Sequence, residues 1–271
     1  MTQNSAPDGD DSLFDGIQLE FLSAKSPHSE LEGYIAGLNA PPSVDSSCEG
    51  LPAGVGLVDV GSENKSRCAE LEAMLTREAI CQWDYDIFRL RDLSNGHPLV
   101  CMAAAVVRYH GLIEKLGIDP TKFHKLMCAV ENGYNGCIYH NKTHAADVLH
   151  ATHCLIQGEG LCEELSGDEV LALLMAAAVH DIGHPGVSNA FLVQHSHALA
   201  TKYDNTAVLE RYHIQLALSL LDDPPLSIIH HLPQHRQTRI RRLISDMILV
   251  TDMAVHHRLL ESLRKRGDTM Q

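Results

Sequence analysis

Five ionisable side chains in two short segments have the types and the spacing of a metal-binding site. His140 and His144 are four residues apart, while His180 and Asp181 are adjacent and His184 lies four residues beyond His180. Imidazole nitrogen and carboxylate oxygen together are typical ligands of zinc, iron or manganese, and a carboxylate can bridge two metal ions. The two segments therefore indicate divalent-metal chemistry.

The first segment is a weak signal when it is taken alone. On an α-helix, residues four apart lie on the same face, one turn apart. His140 and His144 could therefore both converge on one site, or one could bind a metal while the other stays free. In a chain with 18 histidines, most pairs at this spacing lie on the surface and bind nothing.

The second segment is more informative because it follows a wholly apolar stretch. Ser166 and Glu169 match a capping box, which predicts a helix over 169–179 that is hydrophobic all round and therefore central. Burying the adjacent His180 and Asp181 costs several kcal/mol each unless they are paired or bind a metal. Alternatively, Asp181 caps the next segment and His180 hydrogen-bonds to the backbone.

Helical periodicity also dominates the rest of the chain beyond residue 80. Apolar residues recur at intervals of three and four over 98–116, 121–133 and 239–263, and no stretch alternates in the manner of a strand. The predicted fold class is all-α. These helices must position the two histidine segments relative to each other.

Composition divides the chain into two parts. Residues 1–65 are acidic and rich in Gly, Pro, Ser and Asp, which predicts a disordered leader ahead of a folded domain over 66–271.

The net charge of −14 argues against non-specific binding of nucleic acid. With no apolar run of 18 residues and no secretory signal, we expect a cytoplasmic protein whose eight cysteines are reduced and which does not span a membrane.

Four segments resemble, in the same order, the motifs of the catalytic domain of class I 3′,5′-cyclic nucleotide phosphodiesterases. They are Tyr139–Val148 (YHNKTHAADV), His180–Phe191 (HDIGHPGVSNAF), Leu199–Glu210 (LATKYDNTAVLE) and Val250–Met253 (VTDM). A further segment, Trp83–Phe88 (WDYDIF), is most similar to the cAMP-specific, high-affinity members. The resemblance implies a multi-helix bundle of the phosphodiesterase and His-Asp phosphohydrolase superfamily.

The resemblance also implies a two-metal site that acts on a cyclic nucleotide. His144, His180 and Asp181 would bind the tightly held metal, zinc in this family, and Asp181 would bridge to a second ion, Mg²⁺ or Mn²⁺. The two ions would lower the pKa of a water between them, which then attacks phosphorus.

Further roles follow from the same resemblance. His140 would be the general acid that protonates the departing O3′, and Glu210 would hydrogen-bond to His140 or to the metal-bound waters. His184 and Thr251 would orient those waters, whereas His213 is expected to be a buried structural histidine. Three residues match positions that line the substrate pocket: Tyr139, Asn189 and Met253.

One departure from the family pattern affects the expected activity. The family places a further metal-ligating aspartate in an A-D-[LI]-x-[NH]-P segment, and this segment does not occur in the 271 residues. We therefore expect a domain truncated at its C-terminus, with its last helices missing and with little or no hydrolysis of cAMP. The helices over 169–179 and 239–263 would then expose an apolar face, on which a homodimer could form.

Two alternatives to a cyclic nucleotide phosphodiesterase stay open at this point. The chain could be another phosphohydrolase of the His-Asp superfamily, although the Tyr139–Val148 segment favours the phosphodiesterases. It could also be a non-catalytic regulatory or binding fragment that keeps the fold without turnover.

Overall fold

The computed structural model describes residues 62–158 and 161–269, which fall within one compact unit that begins at Val60. Within these ranges the regular structure is helical and contains no strand, which confirms the all-α prediction. The helices are α1 (Ser62–Met74), α2 (Ile87–Leu93), α3 (Pro98–Tyr109), α4 (Leu112–Leu116), α5 (Pro120–Asn132), α6 (Lys142–Gly158), α7 (Leu161–Glu164), α8 (Gly167–Val179), α9 (Asn189–Gln194), α10 (Ala198–Lys202), α11 (Val208–Asp222), α12 (Gln234–Leu249) and α13 (Met253–Thr269).

Helix α8 is the centre of the bundle, as its composition predicts. The Ser166 hydroxyl accepts a hydrogen bond from the Glu169 backbone N–H, while the Glu169 carboxylate accepts one from the Ser166 backbone, which completes the predicted capping box. Helices α12, α6 and α3 pack around it, so that nearly every side chain from Val170 to Val179 is buried. This packing fixes the C-terminal end of α8, from which His180 and Asp181 follow.

Two stretches that the periodicity predicts as single helices are each divided in two. The stretch 98–116 breaks between α3 and α4 at Gly111, whose φ of +64° lies in the left-handed region. The stretch 239–263 breaks between α12 and α13, where the Asp252 carboxylate accepts a hydrogen bond from the Ala254 backbone N–H. In both places the apolar stripe continues across the break, so periodicity alone does not reveal it.

The prediction of an exposed apolar face is wrong for α8 and for α12. Helix α8 is covered on all sides, and Ile240, Ile244 and Ile248 of α12 are fully buried. Helix α13 does carry exposed apolar side chains, with Met253 exposed at 71%. Dimer formation through such a face stays a prediction.

The predicted leader falls outside the described residues as far as residue 61. Among residues 62–158 and 161–269, none of the helices combines the length and the apolar character that a membrane span requires.

Candidate active site

The first histidine segment lies at the start of α6. The Asn141 side-chain carbonyl accepts hydrogen bonds from the backbone N–H groups of Thr143 (2.9 Å) and His144 (3.3 Å), so Asn141 caps the helix. His144 is therefore in the first turn of α6, whereas His140 precedes the helix. The two imidazoles do not share a helical face; their ring planes are nearly perpendicular, at 87°, with centroids 6.1 Å apart.

The second segment lies where α8 ends. The His180 Nδ1–H donates to the carbonyl oxygen of Ala177 at 2.9 Å, within the last turn of the helix. The chain then reverses at Gly183, which has φ +73° and donates its N–H to the Gly133 carbonyl at 2.9 Å. The end of the buried helix and this turn together hold His180 and Asp181 opposite α6.

Three side-chain atoms converge between α6 and α8. Nε2 of His180 lies 3.2 Å from Nε2 of His144 and 3.2 Å from Oδ2 of Asp181, and Nε2 of His144 lies 3.4 Å from the same oxygen. Because Nδ1 of His180 carries the proton that it donates to Ala177, the neutral His180 ring has only a lone pair at Nε2. This lone pair and the Asp181 carboxylate repel each other unless a proton or a metal ion lies between them.

The electrostatics of the three groups favour such a cation. Burial opposes ionisation of Asp181, but the contacts with His144 and His180 outweigh it and hold the pKa of Asp181 well below its usual range. Burial likewise opposes the charging of His180, yet the neighbouring Asp181 raises the pKa of that imidazole. The lowered pKa of Asp181 and the raised pKa of His180 both mean that positive charge is stabilised between these two side chains, whether a proton or a metal ion supplies it.

The spacing of the three atoms also fits a bound metal. With metal–ligand bonds of about 2.0–2.2 Å, two ligands of a tetrahedral zinc ion lie roughly 3.4 Å apart. The separations between His144, His180 and Asp181 are 3.2 to 3.4 Å, in agreement with that value. Two imidazoles and one carboxylate are a donor set that zinc and related divalent ions accept.

His213 on α11 approaches the other oxygen of Asp181. Its Nδ1–H donates to the Ile182 carbonyl at 2.6 Å, and its Nε2 lies 3.8 Å from Oδ1 of Asp181. Burial lowers the pKa of His213 to about 4, so the ring is neutral and directs a lone pair at the carboxylate. The sequence suggests only a structural histidine here, whereas the structure brings it to the site.

His140 and His184 form a stacked pair beside the three converging atoms. Their rings are 3.8 Å apart between centroids and 12° from parallel. Nδ1 of His184 accepts a hydrogen bond from the Gly186 backbone N–H at 3.0 Å, so the proton of the neutral ring is on Nε2. Burial lowers the pKa of His184, and the neighbouring His140 imidazole acts in the same direction.

Glu210 and Asn189 form a second pair at the start of α11. The Asn189 side-chain N–H donates to Oε2 of Glu210 at 2.9 Å, and its carbonyl accepts from the Leu209 backbone N–H at 2.8 Å. Burial raises the pKa of Glu210, and the nearby charges of Asp252 and Asp181 act in the same direction. The structure thus places Asn189 against α11, as a residue that holds Glu210.

The remaining predicted site residues lie at the edge of this group. The Tyr139 ring is 64% exposed, and its centroid is 4.6 Å from that of His144. The Thr251 hydroxyl donates to the Ile248 carbonyl at 2.8 Å, and Met253 follows it at the exposed start of α13. Their expected roles toward water and substrate stay predictions.

Sequence reasoning misses three residues that the structure connects to the site. Asn141 could have been found as an Asn that directly precedes a helical pattern, since this residue type is a preferred cap. Asp252 precedes α13 in the same way, but the continuous apolar stripe hides the helix boundary. No local signal identifies His213, because its contact with Asp181 depends on how α11 packs.

Comparison with known proteins agrees with this geometry. Residues 139–271 match the family model described as 3′5′-cyclic nucleotide phosphodiesterase. The chain is 32% identical over 197 residues to the probable 3′,5′-cyclic-AMP phosphodiesterase pde-4 of Caenorhabditis elegans, covering 73% of this chain and 29% of the relative. It is 33% identical over 189 residues to 3′,5′-cyclic-AMP phosphodiesterase 4C of Rattus norvegicus, covering 69% of this chain and 35% of the relative.

The chain is also similar to solved structures of phosphodiesterase domains. The phosphodiesterase domain of the RhoPDE fusion protein from the choanoflagellate Salpingoeca rosetta superposes with a TM-score of 0.66 at 32% identity. That match covers 72% of this chain and 60% of the solved domain. The chain therefore spans about a third of the length of the curated relatives it matches, and somewhat more than half of the solved domain.

Proposed function

Residues 139–271 belong to the 3′5′-cyclic nucleotide phosphodiesterase family, and on that premise we propose that the chain binds divalent cations for the hydrolysis of 3′,5′-cyclic AMP. One observation carries the proposal. Donor atoms of His144, His180 and Asp181, each in a family motif, converge to within 3.2 to 3.4 Å of one another. The preference for cAMP rests on the names of the two curated relatives.

We assign the tightly bound ion, zinc, to His144, His180 and Asp181. The second carboxylate oxygen of Asp181, which faces His213, remains for a second ion such as Mg²⁺ or Mn²⁺. When bound, such ions lower the pKa of a coordinated water and neutralise the charge of the phosphate. A chain with a net charge of −14 needs this neutralisation in order to hold an anionic substrate.

His140 is the proposed general acid. In the reaction one water adds to phosphorus, the bond from phosphorus to O3′ breaks, and O3′ takes a proton to give the 5′-monophosphate. His140 lies outside helix α6 and is stacked on His184, so its nitrogens are not among the converging donor atoms. Burial lowers the pKa of His184, which disfavours that ring as the proton donor and leaves the role to its stacked neighbour.

Four other side chains are assigned supporting roles. Glu210 is held by Asn189 and accepts hydrogen bonds from water near the ions. The protonated Nε2 of His184 donates to the same waters. Tyr139 and Met253, both largely exposed, form the side of the pocket where the nucleoside enters.

A turnover assay on the purified chain tests the proposal. The chain is supplied with Zn²⁺ and Mg²⁺ and assayed for release of 5′-AMP, alongside His140→Gln, His144→Ala and the surface control His235→Ala. We expect weak turnover in the wild type and the control, because one metal-ligating aspartate of the family pattern does not occur among the 271 residues, and no turnover in the other two, with zinc retained in His140→Gln. Zinc binding without any turnover would reduce the proposal to a metal-binding, non-catalytic chain; full turnover in His140→Gln would remove the general-acid role.

A further inference from the structure

A second group of titratable side chains lies outside the metal-binding residues, around the loop that precedes α2. The Cys81 sulfur lies 3.6 Å from Nε2 of His153 on α6, and Nδ1 of His153 lies 3.0 Å from Nε2 of His110. His153 is fully buried and His110 is buried, while Cys81 is partly exposed. The three residues therefore form a chain from a reachable thiol to two buried imidazoles.

A cation and a hydroxyl group lie beside this thiol. The guanidinium carbon of Arg77 is 4.1 Å from the centroid of the Tyr109 ring, and Arg77 also donates to the Tyr109 carbonyl at 3.2 Å. A hydrogen bond between the Tyr109 hydroxyl and Cys81 is the main reason why the pKa of Tyr109 is raised. The Tyr109 hydroxyl donates its proton to Oε1 of Gln157 at 2.8 Å, and Arg77 holds a positive charge against the same ring.

A second thiol provides an internal comparison. The Cys154 sulfur lies 3.4 Å from Nε2 of His150 and 3.6 Å from the carbonyl oxygen of Ile80, the residue before Cys81. Burial raises the pKa of Cys154, and a negative charge on Cys81 raises it further. The two thiols are therefore neighbours with similar imidazole contacts, and negative charge is disfavoured at Cys154.

Cys81, His153 and His110 are arranged like the nucleophile, the base and the residue that orients the base in enzymes with an activated nucleophile. In the tautomer in which His153 Nδ1–H donates to His110, Nε2 of His153 is the acceptor that faces the thiol. Burial lowers the pKa of His153 to about 4, so this ring is neutral at physiological pH and accepts a proton only as the thiol reacts.

We propose that Cys81 is a site of thiol–disulfide exchange with low-molecular-weight disulfides, with His153 as the base and His110 as the residue that orients it. The Cys81 proton passes to Nε2 of His153 as the sulfur attacks one sulfur of the disulfide. A bond forms between Cys81 and that sulfur, the original disulfide bond breaks, and the departing thiolate takes the proton from His153. The product is a mixed disulfide at Cys81 and one free small thiol.

The pH dependence of labelling distinguishes this mechanism from ordinary thiol chemistry. A thiol without a base reacts through its thiolate, so its rate rises about tenfold per pH unit below its pKa. At Cys81 the neutral imidazole takes the proton, so the rate should change little between pH 5.5 and 7.5. Exposed Cys68 serves as the reference thiol within the same chain.

The experiment treats the full chain with glutathione disulfide and measures the mixed disulfide at each cysteine by peptide mass spectrometry. We expect a nearly flat pH profile at Cys81 and a fall of at least about tenfold in His153→Gln, with Cys68 unchanged. His110→Gln should give a smaller fall. A rate at Cys81 that rises tenfold per pH unit like that of Cys68, or that both variants leave unchanged, overturns the proposal.

Circular dichroism of each variant controls for loss of fold, because unfolding would expose the buried thiol Cys101 and label it as well. If His153→Gln unfolds, the wild-type pH profile together with His110→Gln decides the outcome. None of these measurements depends on turnover or on bound metal, so the result is independent of the proposed phosphodiesterase activity.

Discussion

Nε2 of His180 lies 3.2 Å from Oδ2 of Asp181, although the proton of the neutral His180 ring is on the opposite nitrogen and is donated to Ala177. A lone pair therefore faces a carboxylate at close range, at the end of a helix that is buried on all sides. Such an arrangement is stable only with positive charge between the two groups.

Gly183→Ala should destabilise the protein by roughly 2–4 kcal/mol, because an added methyl group meets both backbone strain and a steric clash. Gly183 has φ +73°, and a Cβ there would clash with Cδ1 of Leu216. Urea unfolding measures the loss. Gly136→Ala is the matched control, since a Cβ at that position meets nothing within 4 Å; equal stability of the two variants would contradict the close packing of the turn.

Ala207→Gly should stabilise the protein by about 0.5–1 kcal/mol, because Ala207 has φ +43° and glycine adopts this conformation without strain. The residue precedes α11, which carries Glu210 and His213. Thermal or urea unfolding measures the gain. The control Ala129→Gly, in the regular helix α5, should instead lower the free energy of unfolding by about 1 kcal/mol. If both variants lower the free energy of unfolding, the left-handed conformation at Ala207 is wrong.

Glu210→Gln should increase the free energy of unfolding at pH 8. Burial raises the pKa of Glu210 in the folded chain, so the unfolded chain loses this proton at lower pH and the native state is penalised as pH rises. The gain should shrink as the pH falls, because protonation of the folded carboxyl removes the penalty. The exposed Glu164→Gln variant is the control, and a gain that does not depend on pH would contradict the assigned cause.

Unfolding free energy should fall as the pH decreases from 7 toward 4, in part through His110 and His153. Burial lowers the pKa of each to about 4, against 6.5 for an unperturbed imidazole. Below pH 6.5 the unfolded chain therefore binds protons that the folded chain does not, at a cost approaching 1.4 kcal/mol per pH unit for each group. His110→Gln should show a shallower slope in denaturant titrations; an unchanged slope would mean that His110 is not held neutral.

Particular residues show how far sequence leads and where it stops. The Ser166–Glu169 capping box and the apolar run after it correctly place the central helix, because both are local signals. The break at Asp252 is missed, since tertiary packing lets one apolar stripe continue across two helices. Only the family motifs predict the convergence of His144 with His180 and Asp181, and the approach of His213 to Asp181 depends on packing between elements that are distant in sequence.

The most direct test of the metal-binding account is the zinc content of the purified chain, measured by mass spectrometry of the metal after dialysis against a weak chelator. The account predicts about one tightly bound zinc per chain in the wild type and in His235→Ala, and its loss in His144→Ala and Asp181→Asn. Both site variants must remain folded by circular dichroism. Unchanged zinc in His144→Ala, or a folded wild-type chain that binds none, would contradict the account.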